Sequence, residues 1–411
     1  MSGSTLSKSD AELAFRQLRK RKLTAFLFVA PLLLFLILAF VAPIGTMLVR
    51  SFYHPTVAEL IPDTLEELAT WDGQNLPSLS AQAVMAADLK RLAAERLSGK
   101  LAEEINRIEA GMSSVVKSSA RKLSRASDAD IATNAPALLL DANAKWGEPA
   151  IWKAIAKSGA VYTERYFLTA LDLEMGDNGI QARDGARIYV DLYTKTLKMA
   201  FVITLLTLIG GYPLAFYLAN APSSWGNLLM VFVLLPFWTS LLVRTTSWIA
   251  LLQTNGVVNS ILMGTGVTSS PFELLYTQFS TILAMTHILM PFMILPLYSV
   301  MKGIDPSFLR AAMSMGARPL PAFFKVYFPM TLPGLSAGAL LVFIISVGYY
   351  ITPALVGGTA GQMISNIIAF HMQQSNNWEL AAALGTLLLV IILVLYWVYD
   401  RFVGADNIQL G

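Results

Sequence analysis

Cysteine is absent from the 411 residues, and Asp, Glu, Lys and Arg together make up only 14% of them. The first absence excludes disulfide staples and thiolate metal sites. The second lies well below the roughly one quarter of charged residues usual in soluble domains, so much of the surface has to meet lipid. Histidine is scarce, at three, and no H-E-x-x-H or other metal-spaced set occurs. The phosphate-cradling pattern G-x-x-x-x-G-K-S/T is missing as well, which excludes that mode of ATP binding. A net charge of +3 is too small to argue for nucleic acid.

What is present is apolar residue, 55% of the chain, with a mean hydropathy of +0.56. A hydrocarbon core of about 30 Å needs about 20 mainly apolar helical residues to cross it, and six stretches qualify. The first, Thr24–Val49, carries no charge and follows Arg19-Lys20-Arg21-Lys22. Signal peptides have apolar cores of about 7–15 residues, so this longer run reads as an uncleaved anchor. The others are Thr196–Leu218, Leu228–Leu251, Ser280–Val300, Leu335–Leu355 and Leu380–Val398. Each must be helical, because backbone polar groups in hydrocarbon have to pair within the segment. None holds Asp or Glu, which disfavours a proton-coupled carrier with carboxylate relays.

Lys and Arg in short loops set the orientation. The N-terminal tail is basic, and Lys302, Arg310, Arg318 and Lys325 lie between the fourth and fifth stretches, whereas the loops 252–279 and 356–379 have no Lys or Arg. Both termini are therefore expected in the cytoplasm. Residues 50–195 form a different, polar region on the outer side. There Met85, Leu89, Leu92, Leu97, Leu101, Ile105, Ile108 and Met112 recur at helical spacing and predict one amphipathic helix. A second helix is predicted near Pro149–Ser158, and Asp177-Asn178-Gly179 reads as a turn. Such a domain serves either as a packing cap or as a docking surface for a soluble partner.

Arg244 is the exceptional charge within an apolar stretch. It reads as a snorkelling or packing arginine, or as a pathway residue. His287, among Met285, Thr286 and Met290, suits a packed histidine or a pathway ligand. Trp238, Trp248, Tyr349 and Tyr350 suit an interfacial aromatic belt or a pathway lining. Gly210-Gly211 and Pro213, with Pro291 and Pro296, permit close helix approach and kinks.

The most informative segment is cytoplasmic, Asp305–Pro333. Asp305-Pro306 is a helix start. Phe308, Leu309, Ala312, Met313 and Met315 follow at helical spacing, and Gly316 suits a left-handed cap. A second short helix is predicted after Arg318-Pro319, ending before Pro329. The knob so formed suits helix-in-groove docking.

Arg310-Ala311-Ala312, Gly316 and Val326-x-Phe328-Pro329 resemble the EAA loop of ABC importer permeases, with Arg310 standing where that family most often has Glu. Pro236–Trp248, Asn255–Leu262, Pro291–Tyr298, Ile351–Gly358 and Asn377-Trp378 are similar to the spermidine/putrescine importer family. The insert lies outside the likeness.

The resemblance implies an all-α integral membrane protein with six transmembrane helices of the type I ABC importer fold plus the helical insert. It implies a basic tail (1–23), a first span (24–49), the insert (50–195), a five-helix core (196–403) with a coupling loop (305–333), and a short tail (404–411). It also implies a non-enzymatic transport subunit in the bacterial inner membrane. Its partners would be two cytoplasmic ATPase subunits, a second homologous permease and a periplasmic binding protein. ATP and Mg would sit on the ATPase, and this chain would hold no cofactor. A polyamine is the family's substrate, while Gly348-Tyr349-Tyr350 and Arg244 equally suit a zwitterionic or anionic amine derivative. A secondary carrier or channel, and a receptor or scaffold acting through the insert, are the competing classes.

Overall fold

In the computed structural model, which describes residues 8–176, 179–183 and 185–403, the chain divides into two compact units at Glu164/Arg165. The first unit opens on α1 (Lys8–Leu36), which continues through one wide π turn, Ile37–Val41, into α2 (Ala42–Arg50). Pro43 lacks the N–H an α-helix would use, and the π turn just before it absorbs the misfit. Phe28, Leu32 and Phe35 on this helix are exposed, as lipid-facing side chains are.

Six insert helices precede the last one: α3 (Thr56–Leu60), α4 (Pro62–Leu68), α5 (Leu79–Ala94), α6 (Ser98–Asn106), α7 (Met112–Leu123) and α8 (Asp128–Ala142). Then α9 occupies Pro149–Ser158, with the bounds expected. The single amphipathic helix predicted from Met85 to Met112 is corrected: its residues are spread over α5, α6 and α7, with Leu97 and Ile108 in the connections. The breaks fall where the backbone turns left-handed, at Arg96 (φ +60) and Gly111 (φ +88). Spacing could not show these reversals, because the apolar period carries on across them.

Met85, Leu89, Leu92, Leu101 and Ile105 meet one core with Trp146 and Trp152, whose ring centroids are 5.2 Å apart. Each such aliphatic side chain contributes about 1.5–3 kcal/mol relative to exposure. Most of the stripe is thus buried by the insert's own helices, with Leu97 left exposed. His54 N–H donates to Val161 O at 2.7 Å and Thr163 N–H to Phe52 O at 2.9 Å, so the insert's entry and exit strands lie side by side.

The second unit starts with α10 (Arg165–Ala170) and a hairpin, β1 (Leu173–Gly176) against β2 (Gly179–Ala182), antiparallel with Leu173 opposite Ala182. The hairpin is a small addition to an otherwise helical chain; Asp177 and Asn178 of the expected turn lie outside the described residues. Buried Asp172 accepts the N–H groups of Tyr189 (3.2 Å) and Val190 (2.8 Å), capping α11 (Tyr189–Asn220). The helix accordingly begins upstream of Thr196.

Next come α12 (Ser223–Trp238), α13 (Leu241–Leu252), α14 (Val257–Gly264) and α15 (Gln278–Gly303). They are followed by α16 (Ser307–Ser314), α17 (Pro319–Ala322), α18 (Phe328–Gly348), α19 (Ile351–Val356), α20 (Ile364–Gln373) and α21 (Trp378–Val403). Helices α11, α15 and α18 form the centre, and glycine lets them touch. A Cβ on Gly211 would stand 3.1 Å from Met293 Cγ, and one on Gly334 would stand 2.9 Å from Pro296 O. A second core joins α11, α20 and α21, where Tyr193 Oη donates to Leu384 O at 2.7 Å.

Two expected spans are corrected. The third, Leu228–Leu251, is broken: α12 and α13 meet at an angle of 100°. Pro236 weakens the last turn of α12, and Ser240 caps α13 by accepting the Val243 N–H at 3.2 Å. The fifth, Leu335–Leu355, ends earlier, at Gly348, with α19 a separate short helix. It also starts earlier, because α17, a π turn at Phe323–Tyr327 and α18 form one continuous rod, Pro319–Gly348. Among the described residues, five helices are long and apolar enough to cross a membrane, and the bent pair supplies the sixth crossing if counted as one span.

Candidate functional site

Between α15 and α18 the chain builds the knob that the Asp305–Pro333 pattern predicts. Asp305 Oδ1 accepts the Ser307 N–H at 2.8 Å, and this bond holds its carboxyl below the usual carboxylate range. Leu309 packs on the bundle core and Ala312 is buried, which seats α16. Gly316 then takes φ +91. Its N–H reaches Met313 O at 3.0 Å while Ala317 N–H reaches Ala312 O at 3.1 Å, the pair of bonds that closes a helix through a left-handed residue. A Cβ at Gly316 would meet nothing within 4 Å, so only the backbone conformation demands glycine.

Arg310 and Ala311 face outward on α16, and Pro329 is exposed, whereas Val326 and Phe328 are half-buried. Sequence spacing alone could not separate these two sets. Phe308, Met315, Leu320 and Phe324 are exposed along this segment, Met315 by 83%, as are Arg310, Arg318 and Lys325, whereas Lys302 ends α15 and donates to Ala219 O at 3.1 Å. An apolar surface with a basic rim is thereby presented on one loop.

The second short helix expected to end before Pro329 is corrected: it runs on into α18. Phe328 N–H bonds to Phe323 O, one residue further back than in an α-helix, and this wider turn makes room for the Pro329 ring. Phe323 and Tyr327 stack at 5.6 Å, and Phe216 of α11 meets Tyr327 edge-on at 5.3 Å. The base of the loop is therefore clamped to the bundle.

The second candidate site lies at the α12–α13 break. A cleft of about 360 Å³ is lined by Phe232, Pro236, Thr239, Arg244, Ser247, Trp248 and His287, among others. Trp248 Nε1–H donates to His287 Nδ1 at 3.3 Å, and the rings meet edge-on with centroids 5.6 Å apart. Of the pathway candidates, Arg244, Trp248 and His287 are brought together here. Trp238 is 75% exposed at the end of α12 and does not line this cleft. Tyr349 and Tyr350 lie just beyond α18, their carbonyls held by Ser365 Oγ (2.7 Å) and Asn366 Nδ2 (2.8 Å). Sequence reading missed Phe232, Thr239 and Ser247; the signal available was Pro236 followed by Thr239-Ser240, a helix end followed by a helix start.

Fold and hydropathy together define a polytopic helical membrane protein. A family model described as "Binding-protein-dependent transport system inner membrane component" matches residues 211–404. The chain is 35% identical over 214 residues to the spermidine/putrescine transport system permease protein PotB of Haemophilus influenzae, covering 52% of this chain and 75% of that one. It is 33% identical over 220 residues to PotB of Escherichia coli K12, covering 53% and 80%. The inner membrane ABC transporter permease protein YdcU of Escherichia coli K12 is 31% identical over 284 residues, with 62% and 88% covered. A crystal structure of a bacterial ABC transporter that imports the acidic polysaccharide alginate aligns with 18% identity and a TM-score of 0.45, covering 55% of this chain and 81% of that one. The chain belongs to the family of binding-protein-dependent ABC transporter permeases of the inner membrane, with spermidine/putrescine permeases among its relatives.

Proposed function

We propose that this chain is the transmembrane subunit of an ATP-driven importer that moves a small polar amine, a polyamine or an amino-acid derivative, across the inner membrane by alternating access. The observation that carries the reading is the knob α16–Gly316. It is a short helix closed by a left-handed glycine, clamped at its base, with exposed apolar side chains and a basic rim. That surface suits the groove of a cytoplasmic ATPase dimer, with Arg310, Ala311, Ala312, Gly316, Val326, Phe328 and Pro329 as the coupling segment.

ATP and Mg belong to the ATPase, the solute is delivered by a periplasmic binding protein, and a second homologous permease completes the membrane domain. Closure of the ATPase dimer pushes on the knob, and the rod Pro319–Gly348 passes the motion into the bundle. Transport then follows from a two-state equilibrium biased from both faces. The proposed solute path runs by Arg244 and His287. The test is affinity purification of the tagged chain from its native host. Recovery of a nucleotide-binding subunit, with ATP hydrolysis stimulated by loaded binding protein, is expected. A pure permease with no ATPase under mild detergent and low salt would sink the reading.

A further inference from the structure

The α12–α13 cleft holds a charge with nothing to balance it. Arg244 Nε is buried with no hydrogen-bond partner, and no ion pair to Arg244 occurs among the described residues. Its position aggravates the imbalance, since it sits in the first turn of α13, where the helix end is itself partially positive and repels a cation. The other groups are of the same kind. Because His287 Nδ1 accepts the Trp248 N–H, the neutral ring must carry its proton on Nε2 and so offers a donor. The hydroxyls of Thr239 and Ser247 already donate, to Pro236 O at 3.0 Å and Val243 O at 2.8 Å, and contribute no charge. Among the described residues no carboxylate lines the cleft, and most of the lining is apolar, a setting in which an unpaired charge is costly and a complementary one is held strongly.

We propose that this cleft is a subsite for an anionic oxygen group, a carboxylate or phosphonate, on the transported amine. Arg244 supplies the counter-charge and His287 Nε2–H a second donor, while the edge-on indole of Trp248 fixes the ring. This deepens the function proposed above, resting on its reading of the cleft as part of the solute path, and it narrows the solute from a plain polyamine to an amine that also bears an acid.

The test uses the purified complex in nanodiscs and a matched series of probes: butane-1,4-diamine, 4-aminobutanoate and 3-aminopropylphosphonate. Thermal stabilisation is read as a function of probe concentration for wild type, Arg244→Gln and Arg244→Lys. The acid-bearing probes are expected to stabilise wild type, to act at least about tenfold more weakly on Arg244→Gln, and to be partly restored in Arg244→Lys. The diamine should give no response that depends on Arg244. Stabilisation by the diamine alone, equal responses in wild type and Arg244→Gln, or no response to either acid overturns the proposal. Loss of the second permease from Arg244→Gln, with no dependence on probe, also overturns it, by assigning the counter-charge to a protein carboxylate. Recovery of the ATPase with the wild-type chain is scored separately, so failure of the subsite leaves the importer reading standing.

Discussion

At the scale of single residues, Gly316 is the position where geometry makes the strictest demand. Its φ of +91 costs an ordinary L-residue about 1–2 kcal/mol, and a β-branched one more. Gly316→Val should therefore lower transport and substrate-stimulated ATP hydrolysis while the membrane subunits still copurify. Gly316→Asn should fall between, because Asn tolerates the left-handed region. Full transport in the valine variant would show that the elbow is not a coupling element.

Arg310 is exposed on α16, so it is free to pair across an interface. Arg310→Glu should weaken retention of the ATPase most at low salt, where charge reversal is least screened; copurification at two ionic strengths measures it.

His371, on α20, has Tyr189 Oη 3.3 Å from Nε2 and Ser375 Oγ 2.9 Å from Nδ1. Burial lowers its affinity for a proton, so the folded state prefers the neutral ring. Stability is then present above the unfolded value, about 6.5, and declines as pH falls through it toward the lower folded value. His371→Gln should flatten the fall in melting temperature between about pH 7 and 5.

At the scale of elements, the insert is a helical unit with a hydrophobic core of its own. Apart from exposed Leu97, the insert's apolar stripe is taken up by its own core, which leaves it little surface for docking. Its termini are paired by the bonds His54–Val161 and Thr163–Phe52, so excising residues 56–159 with a short glycine-serine bridge leaves little loop-closure cost. The excised segment should fold alone and melt cooperatively. Trp152→Ala should destabilise it by about 3–5 kcal/mol, read from denaturant unfolding. The shortened permease should still insert. If it still responds to loaded binding protein as the parent does, the insert acts as a cap; a lost response with basal hydrolysis retained makes it part of the docking site.

At the scale of the whole molecule, the distribution of Lys and Arg predicts the sidedness. An alkaline phosphatase fused after Ser158 should be active and one fused after Ala317 inactive. The opposite pattern would invert every functional assignment made for the basic loop. The same scale explains why five helices, and not six, read as uninterrupted crossings. Hydropathy integrates over a window and is blind to a 100° turn inside it, and the turn is what opens the cleft beside Arg244.

The sequence by itself determined the membrane class, the number of crossings once the bent pair is counted as one, and the short helix α16 with the glycine that closes it. Each of these is written in local quantities: window hydropathy, helix-start residues, and a glycine where the chain must turn left-handed. Tertiary structure alone decided that the Met85–Met112 stripe splits among three helices. It alone decided that the chain after Pro319 runs through a π turn into α18, that Arg244 and His287 share a cleft, and that Trp238 does not line it. These depend on which distant side chains meet, as Met293 meets Gly211 and Trp248 meets His287. No spacing rule encodes such meetings, because helix packing is chosen by the fit of surfaces contributed from separate parts of the chain.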